Sequence, residues 1–207
     1  MGGPILLASP ASRLLGDPNR LVTKLLEQLV LWVMVVLIIA LVVNWEKQPL
    51  RSIGLQPFKW RSVLWGLALA ASLILLTPVW ANTLSRVGIQ PSFESGFAKL
   101  VGLPLWFLVL AAVTAGVAEE TLYRGYAVER LAFLTGSYWL GGTISLVIFT
   151  LAHVPVWGSG PLLIFLLSGG LITLFYVWEH DLLACIIAHA VTDTVGLISA
   201  VYLSQAR

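Results

Sequence analysis

Six long apolar stretches alternate with short polar connections along the chain. The stretches lie at 28–45, 62–85, 100–118, 131–152, 162–178 and 182–203, and each is nearly free of charged side chains. An α-helix needs about 20 predominantly apolar residues to cross the hydrocarbon core of a bilayer. The pattern therefore predicts an all-α fold, a polytopic membrane helical bundle of about six transmembrane helices.

The composition supports a membrane protein. Of the 207 residues, 58% are hydrophobic and 11% are charged, whereas soluble domains have about 25% charged residues. Mean hydropathy is +0.92. We expect an integral, multi-pass protein of the cell membrane or an internal membrane. The net charge of +2 is too small to indicate a nucleic-acid partner. Basic residues divide evenly between the two sides of the predicted bundle, so the positive-inside rule leaves its orientation open.

The connections suggest three parts. Residues 1–27 form a juxtamembrane lead-in, loose over 1–16, in which Asp17 and Pro18 have the N-cap and N1 pattern of a helix start. Residues 28–99 hold the first two membrane helices and their loops, and Pro78 predicts a kink or an end in the second helix. Residues 100–207 form a core that carries the ionisable residues of the apolar stretches.

Pairs of small residues four apart occur in two of the stretches. Ala112 and Gly116 form one pair, and Gly196 and Ala200 form the other. Small side chains let membrane helices approach closely. Both pairs therefore predict helix packing.

Six ionisable residues lie within or at the edge of the apolar stretches of the core. Translocon measurements give a cost of about 2.5–3.5 kcal/mol for a charged side chain at the centre of a membrane helix, so such residues indicate function by default. They come from three separate segments, and packing of those helices would bring them to one pocket. The six are Glu119, Glu120, Arg124, His153, His189 and Asp193.

Two adjacent glutamates differ in the partner that a helix gives them. Glu120 and Arg124 are four residues apart and share a helix face, which predicts an ion pair. Glu119 points about 100° away from that face and is left without this partner. Two structural alternatives stay open: the pair could be purely structural, and His153 could be a helix-terminal histidine wetted at the membrane surface.

The side chains suit hydrolysis of an amide in or beside the membrane. A carboxylate can act as general base, and imidazoles can orient water, stabilise an oxyanion or bind a metal. The His-Glu-x-x-His motif of zinc proteases is absent from the sequence, as are Gly-x-Ser-Gly and Gly-x-Gly-Asp. Cys185 and His189 share a helix face, so a thiol–imidazole dyad is an alternative. His180 is expected to be a solvated interfacial residue.

Three motifs in order resemble the CPBP (Abi) family, which includes the type II CAAX prenyl endopeptidases. The family carries Glu-Glu-x-x-x-Arg, Phe-x-x-x-His and His-x-x-x-Asn/Asp on successive membrane helices. This chain has the first motif at 119–124, the second at 149–153 and the third at 189–193. The resemblance covers about residues 100–200 and implies a protease-like core.

The resemblance implies roles for the site residues. Glu119 would activate the attacking water, and Glu120 with Arg124 would hold the geometry of the site. His153 and His189 would orient the water and stabilise the oxyanion, or bind a divalent metal. Asp193 departs from the asparagine of the eukaryotic enzymes, and an ionised aspartate can only accept hydrogen bonds. It would then fix a histidine or ligate a metal.

The implied cofactor and function leave alternatives open. Zinc could be bound by Glu119, His153 and His189, since two histidines and a carboxylate suffice, but the same groups could work without a metal. We expect an intramembrane endopeptidase, with a membrane protein or lipidated peptide as substrate, embedded in the lipid bilayer and able to join a membrane-protein complex. One alternative is a non-catalytic scaffold, assembly or bacteriocin-immunity factor. A proton-coupled transporter would predict inverted repeats, and the sequence shows none.

Overall fold

The computed structural model describes residues 20–100 and 102–205. Six of its helices are long and apolar enough to cross a membrane. They are α1 (Leu21–Trp45), α2 (Trp60–Arg86), α3 (Leu105–Thr135), α4 (Tyr138–Trp157), α5 (Leu162–Glu179) and α6 (Leu182–Gln205). This part of the chain contains no β-strand. The predicted fold class, an all-α bundle of six spans, is confirmed.

The predicted boundary between the third and fourth helices is wrong. The uncharged run at 131–152 was expected to be one helix, but α3 continues to Thr135 and α4 begins at Tyr138. Gly136 ends α3 in the left-handed conformation with φ +71°, which glycine adopts without strain. The Ser137 hydroxyl then accepts a hydrogen bond from the Leu140 amide and caps α4. The turn lies inside an uncharged run, so charge spacing could not show it.

Two other predicted boundaries also differ. The third helix begins at Leu105 rather than at residue 100, because Gly102 with φ +81° and Pro104 in an extended conformation precede it. Helix α2 continues through Pro78 to Arg86, so the proline does not end it. The lead-in at 1–16 and the predicted cap at 17–18 lie outside the described residues. The division at 27/28 and 99/100 stays a prediction.

Helix α3 is the central helix of the bundle. Its membrane-spanning part is 61% buried, the highest share among the six described spans. An α-helical segment, Leu105–Glu119, is followed by a π-helical segment, Glu120–Val128, and then by Glu129–Thr135. Short π-helical stretches are often found at functional sites. Here the π-helix begins at the residue after Glu119.

Close contacts hold the neighbours of α3 in place. A Cβ atom on Gly116 would lie 3.0 Å from the Ala190 Cβ atom of α6, so one of the two predicted small-residue pairs does mediate packing. Helix α1 packs on the opposite side through Leu31 and Val35. Its Trp32 Nε1 donates a hydrogen bond of 3.1 Å to Thr114 Oγ1 of α3.

The connection between α1 and α2 closes one end of the bundle. It contains a 3₁₀ turn, Leu50–Ile53, whose Ile53 is fully buried. Glu46, just before this turn, forms an ion pair with Arg130 of α3 and accepts a hydrogen bond of 2.9 Å from the Tyr126 hydroxyl. The hydrogen bonds from Arg130 hold the pKa of Glu46 below its usual value.

The connection between α2 and α3 covers the opposite end. A four-residue helix, Glu94–Phe97, packs against the end of α4. The Ser95 hydroxyl donates to the Trp157 carbonyl, and Lys99 Nζ donates to the Val156 carbonyl at 2.7 Å. This contact brings the aromatic side chains of the connection next to the last turn of α4.

Candidate active site

Arg124 is the hub of a polar cluster in the bundle core. Its side chain is fully buried, and Nη1 donates to Glu120 Oε1 at 2.9 Å, which confirms the predicted ion pair. Nη2 donates to the Gly169 carbonyl at 2.9 Å, and Nε donates to Thr173 Oγ1 at 3.3 Å. The guanidinium carbon lies 4.2 Å from the centre of the Phe149 ring. Arg124 thus ties α3 to α4 and α5.

The Gly169 and Thr173 partners of Arg124 were missed by the sequence analysis. Neither residue is ionisable, so the search for charges in apolar stretches could not find them. Their spacing of four residues on α5 is the signal that was available. In the structure Thr173 Oγ1 also donates to the Gly169 carbonyl at 2.7 Å.

His189 of α6 shares the same glutamate. Its Nδ1 lies 2.6 Å from Glu120 Oε1, and because a carboxylate accepts, Nδ1–H is the donor. The other ring nitrogen, Nε2, lies 3.5 Å from Asp193 Oδ2 and 4.0 Å from Glu119 Oε2. Glu120 therefore fixes both the cation of α3 and the imidazole of α6.

His153 of α4 is oriented by the end of its own helix. Its amide donates to the Thr150 carbonyl at 3.2 Å, one residue later than the α-helical partner. The imidazole Nδ1 lies 2.7 Å from the Phe149 carbonyl, which can only accept, so Nδ1–H is again the donor. Nε2 then points to Glu119, with 3.8 Å between Nε2 and Oε2. His153 does lie at a helix end, but the alternative of a histidine wetted at the membrane surface is wrong, because the residue is only 3% exposed.

Glu119 faces both imidazoles and is otherwise unpaired. The residue is 2% exposed, and neither carboxylate oxygen has a hydrogen-bond partner among the described residues. Its distances to His153 Nε2 and His189 Nε2, 3.8 and 4.0 Å, are too long for direct hydrogen bonds. One water molecule about 2.8 Å from each atom could bridge either pair. The prediction that Glu119 stands apart from the Glu120–Arg124 pair is confirmed.

A cavity of about 240 Å³ reaches this cluster. Of the six predicted site residues, His153, His189 and Asp193 line it, and the other three are not among the described residues that do. Glu119 therefore lies behind the imidazoles. The remaining wall is mostly apolar and is formed by Leu73, Thr77, Phe93, Phe97, Phe149, Trp157, Ile164, Phe165, Ser168, Gly169, Ile172, Thr192, Gly196 and Leu197.

The predicted zinc ligands have suitable chemistry but not the spacing of a metal site. Two imidazole Nε2 atoms and a carboxylate oxygen are zinc donors. Atoms about 2.0–2.1 Å from a tetrahedral zinc lie about 3.4 Å from one another, which is closer than the 3.8 and 4.0 Å that separate Glu119 Oε2 from the imidazoles. Within 20–100 and 102–205, no three His, Cys, Asp or Glu side chains are placed to hold a metal ion. Zinc binding stays a prediction.

One alternative from the sequence is not supported, and one expectation is borne out in part. Cys185 is fully buried in an apolar cluster with Leu182 and Ala188, and the ring nitrogens of His189 face carboxylates instead of the thiol. His180, expected to be a solvated interfacial residue, is partly exposed, and its Nδ1 also lies 3.0 Å from Glu129 Oε1.

A comparison with known protein families finds a match, which lies in the part of the chain that carries the candidate site. Residues 101–195 match the family model described as "Type II CAAX prenyl endopeptidase Rce1-like". This stretch, slightly less than half of the chain, is similar to the Rce1-like family. The resemblance predicted from the three motifs is confirmed, and the match contains all six predicted site residues. No curated protein and no solved structure matches the chain.

The Rce1-like match and the helices together establish the broad class. Six apolar helices and the match to a membrane-protease family make this an integral, multi-pass membrane protein. The family supports a CAAX-type intramembrane protease, and the buried glutamates and histidines are compatible with that activity.

Proposed function

We propose that this protein is an intramembrane endopeptidase that hydrolyses a peptide bond of a membrane-anchored substrate with a glutamate-activated water. The observation that carries the proposal is the position of Glu119, a buried carboxylate without a hydrogen-bond partner in the described chain, facing the Nε2 atoms of two histidines. A structural ion pair needs no such group. A general base does, because it must be free to take a proton from water.

The proposed reaction follows from the contacts of each side chain. A water molecule near the His153 and His189 Nε2 atoms transfers a proton to Glu119, and its oxygen forms a bond to the carbonyl carbon of the substrate. The carbonyl π electrons move to the oxygen, which becomes an oxyanion. Glu119 returns the proton to the amide nitrogen as the oxyanion re-forms the C=O bond and the C–N bond breaks. This releases an amine and a carboxylic acid, and the acid then transfers its remaining proton to the amine.

The remaining residues position the reacting groups. His153, held by the Phe149 carbonyl, accepts a hydrogen bond from the water and orients it. His189 has Nδ1–H fixed on Glu120, so in its doubly protonated form Nε2–H donates to the oxyanion. Asp193 lies 3.5 Å from that nitrogen and orients the ring. Access of water to Glu119 requires the imidazoles to move slightly, because the cavity ends at them.

The proposed substrate is a lipidated or membrane-embedded peptide. The name of the matched family specifies prenyl substrates, and the mostly apolar cavity beside the histidines suits an apolar anchor. The lipid bilayer holds both enzyme and substrate, and a stable complex with a membrane-protein partner is compatible with this role.

The test is cleavage by purified protein in liposomes of two internally quenched peptides, one farnesylated near its C-terminus and one transmembrane. The Glu119→Gln variant preserves side-chain volume and removes the base, and general-base catalysis is worth about 100-fold to 10,000-fold. We expect a loss of that size in kcat. Glu94→Gln, a matched change at an exposed glutamate, should keep full activity. Unchanged cleavage by Glu119→Gln would contradict the mechanism.

Two further arms separate the alternatives. Elemental analysis, together with chelation and re-addition of zinc, tests metal dependence: activity that follows zinc would replace the metal-free scheme. If wild-type protein cleaves neither peptide nor a broad membrane-peptide library, the non-catalytic scaffold, assembly or immunity role is favoured.

A further inference from the structure

Among the described residues, three hydroxyl side chains line the cavity beside the histidines: Thr77, Ser168 and Thr192. A hydroxyl has one proton to donate. Thr77 Oγ1 donates to the Leu73 carbonyl at 2.8 Å, and Ser168 Oγ donates to the Ile164 carbonyl at 2.7 Å. Each of these protons is used by the helix that carries it, which is a common arrangement for helical Ser and Thr. These two hydroxyls therefore offer a bound molecule only acceptor lone pairs.

Thr192 differs from the other two hydroxyl residues of the cavity. Its Oγ1 is buried and has no hydrogen-bond partner in the part of the chain that the structure describes. On the same helix, Thr194 Oγ1 donates to the Ala190 carbonyl at 2.7 Å. A buried donor that stays unpaired costs free energy, because it has lost its hydrogen bonds to water. Thr192 is thus left with a proton that a bound molecule can accept.

The position of Thr192 on α6 places it beside the candidate site. Thr192 follows His189 by three residues and Asp193 follows it by four, so both lie next to His189 on one face of the helix. All three residues line the cavity. A peptide bond held at His189 would therefore lie close to Thr192.

The proposed reaction calls for a donor at this place. The carbonyl oxygen of the substrate becomes an oxyanion that accepts a hydrogen bond from His189 Nε2–H, and Asp193 Oδ2 lies 3.5 Å from that nitrogen. An ionised carboxylate can only accept hydrogen bonds, and it repels a second negative charge nearby. A further donor next to His189 would offset this repulsion, since donors aimed at a developing oxyanion are a large source of rate enhancement.

We propose that the Thr192 hydroxyl is a second oxyanion donor, a catalytic group that hydrogen-bonds the carbonyl oxygen of the scissile bond as its charge develops. The inference rests on the proposed function and adds a residue to its mechanism. Oγ1 is covered in the structure, and staggered χ1 rotamers are about 120° apart, so the hydroxyl reaches the bound peptide by one rotation about χ1. This rotation breaks no hydrogen bond with the described residues, because Oγ1 makes none.

The test compares wild type, Thr192→Val and Thr192→Ser on the two quenched peptides in liposomes. Valine keeps the shape of threonine and removes the donor, whereas serine keeps the donor. Loss of one oxyanion donor lowers kcat by about 100-fold to 1,000-fold. We expect a loss of that size for Thr192→Val with little change in KM, because the contact forms in the transition state. Thr192→Ser should keep most of the activity.

Thr194→Val is the matched control, since it is the same change at a hydroxyl that lies outside the cavity lining and is bonded to its own helix. It should keep the kcat of wild type. An unchanged kcat in Thr192→Val, or an equal loss in Thr194→Val, would overturn the proposal.

Thermal unfolding separates this catalytic role from a structural one. In Thr192→Val a methyl group replaces a buried hydroxyl without a partner, so the variant should unfold at or above the temperature of wild type. Thr194→Val loses a hydrogen bond and should gain no stability. A lower unfolding temperature for Thr192→Val would show that its hydroxyl has a structural partner, and the proposal would be wrong.

A binding arm decides the inference without catalysis. A phosphinate peptide places a tetrahedral, negatively charged centre where the oxyanion forms, and transition-state analogues bind at least about 100-fold more tightly than substrates. Thr192→Val should weaken phosphinate binding by about 100-fold to 1,000-fold. It should leave unchanged the affinity for the matching amide peptide, measured in the Glu119→Gln background.

The two arms distinguish the possible failures. If wild type cleaves neither peptide but Thr192→Val selectively loses phosphinate binding, the proposed function fails and Thr192 is still assigned as a donor to a tetrahedral oxyanion. If wild type does not bind the phosphinate, or if wild type and Thr192→Val bind it equally, the assignment of Thr192 fails.

Discussion

Removal of the Arg124 cation should lower the free energy of unfolding, because it leaves Glu120 as a buried charge without its cation. Arg124 is 1% exposed and donates to Glu120 Oε1 at 2.9 Å. In Arg124→Met the side chain keeps most of its apolar volume, but the glutamate loses its cation. Breaking a buried ion pair by removing one partner costs about 3–5 kcal/mol. Since about 1.4 kcal/mol is a factor of ten, the unfolding equilibrium constant should rise by about 150-fold to 4,000-fold.

A double-mutant cycle isolates the pair from the other contacts of Arg124. Glu120→Gln removes the charge and keeps an oxygen that can accept from His189 Nδ1. The double variant, Glu120→Gln with Arg124→Met, leaves no unpaired charge at these two positions. It should therefore be less destabilised than the sum of the single variants, by about 2 kcal/mol, within the range found for residues in contact.

The measurement is equilibrium unfolding in lipid bicelles by steric trapping. Arg86→Met is the control, because Arg86 is exposed at the end of α2 and should cost at most about 0.5 kcal/mol. A loss below about 1 kcal/mol for Arg124→Met, or a cycle in which the single effects simply add, would refute the buried-pair reasoning.

Three further changes probe the scaffold. The first two are followed by thermal unfolding in detergent, and the third is followed by peptide cleavage. Glu46→Gln removes the ion pair with Arg130 and should cost about 1 kcal/mol at pH 7. Because the folded-state pKa of Glu46 is lowered, this difference should be lost as the pH falls below the ordinary value of 4.5. Trp32→Phe removes the hydrogen bond to Thr114 and should cost about 1 kcal/mol. Gly116→Val places side-chain atoms against α6, 3.0 Å away at the Cβ atom, and should abolish cleavage.

Each of these has a matched comparison. Trp45→Phe, at a residue 82% exposed, should leave unfolding unchanged. Gly88→Val is the comparison for Gly116→Val, because Gly88 lies in a connection with open space around it. Its φ of +85° is strained for valine, so retained cleavage by Gly88→Val shows that the protein tolerates a strained Gly→Val change away from the helix contact. An effect of Glu46→Gln that does not shrink as the pH falls below 4.5 would contradict the assigned pair. Wild-type activity in Gly116→Val would contradict the close approach of α3 and α6.

The number and order of the membrane helices could be predicted because each apolar run is about as long as a helix that crosses the bilayer. The turn at Gly136–Ser137 could not be located by that criterion, since the chain stays uncharged on both sides of it. The Gly-Ser pair at this turn is visible in the sequence, and it matches the left-handed glycine and the capping serine of the structure. A helix boundary that depends on one or two turn residues does not change the hydropathy of the run, so hydropathy alone cannot locate it.

Within the candidate site, local spacing predicted what lies on one helix but not what lies between helices. The four-residue separation gave the Glu120–Arg124 pair directly. The sharing of Glu120 by His189 joins residues 69 positions apart, which no periodicity encodes. Nor could the sequence show that Glu119 lies behind the imidazoles, because access depends on how α3, α4 and α6 pack together.

The antiparallel order of the helices determines the end of the bundle toward which the cavity extends. Consecutive helices alternate in direction, so the start of α1, the Glu94–Phe97 helix and the end of α4 lie on one side of the membrane. The cavity extends to that side through Phe97 and Trp157. Cys185 is the single cysteine of the chain and is buried. A Val87→Cys protein labelled by an impermeant maleimide in sealed vesicles would therefore report sidedness against a low background.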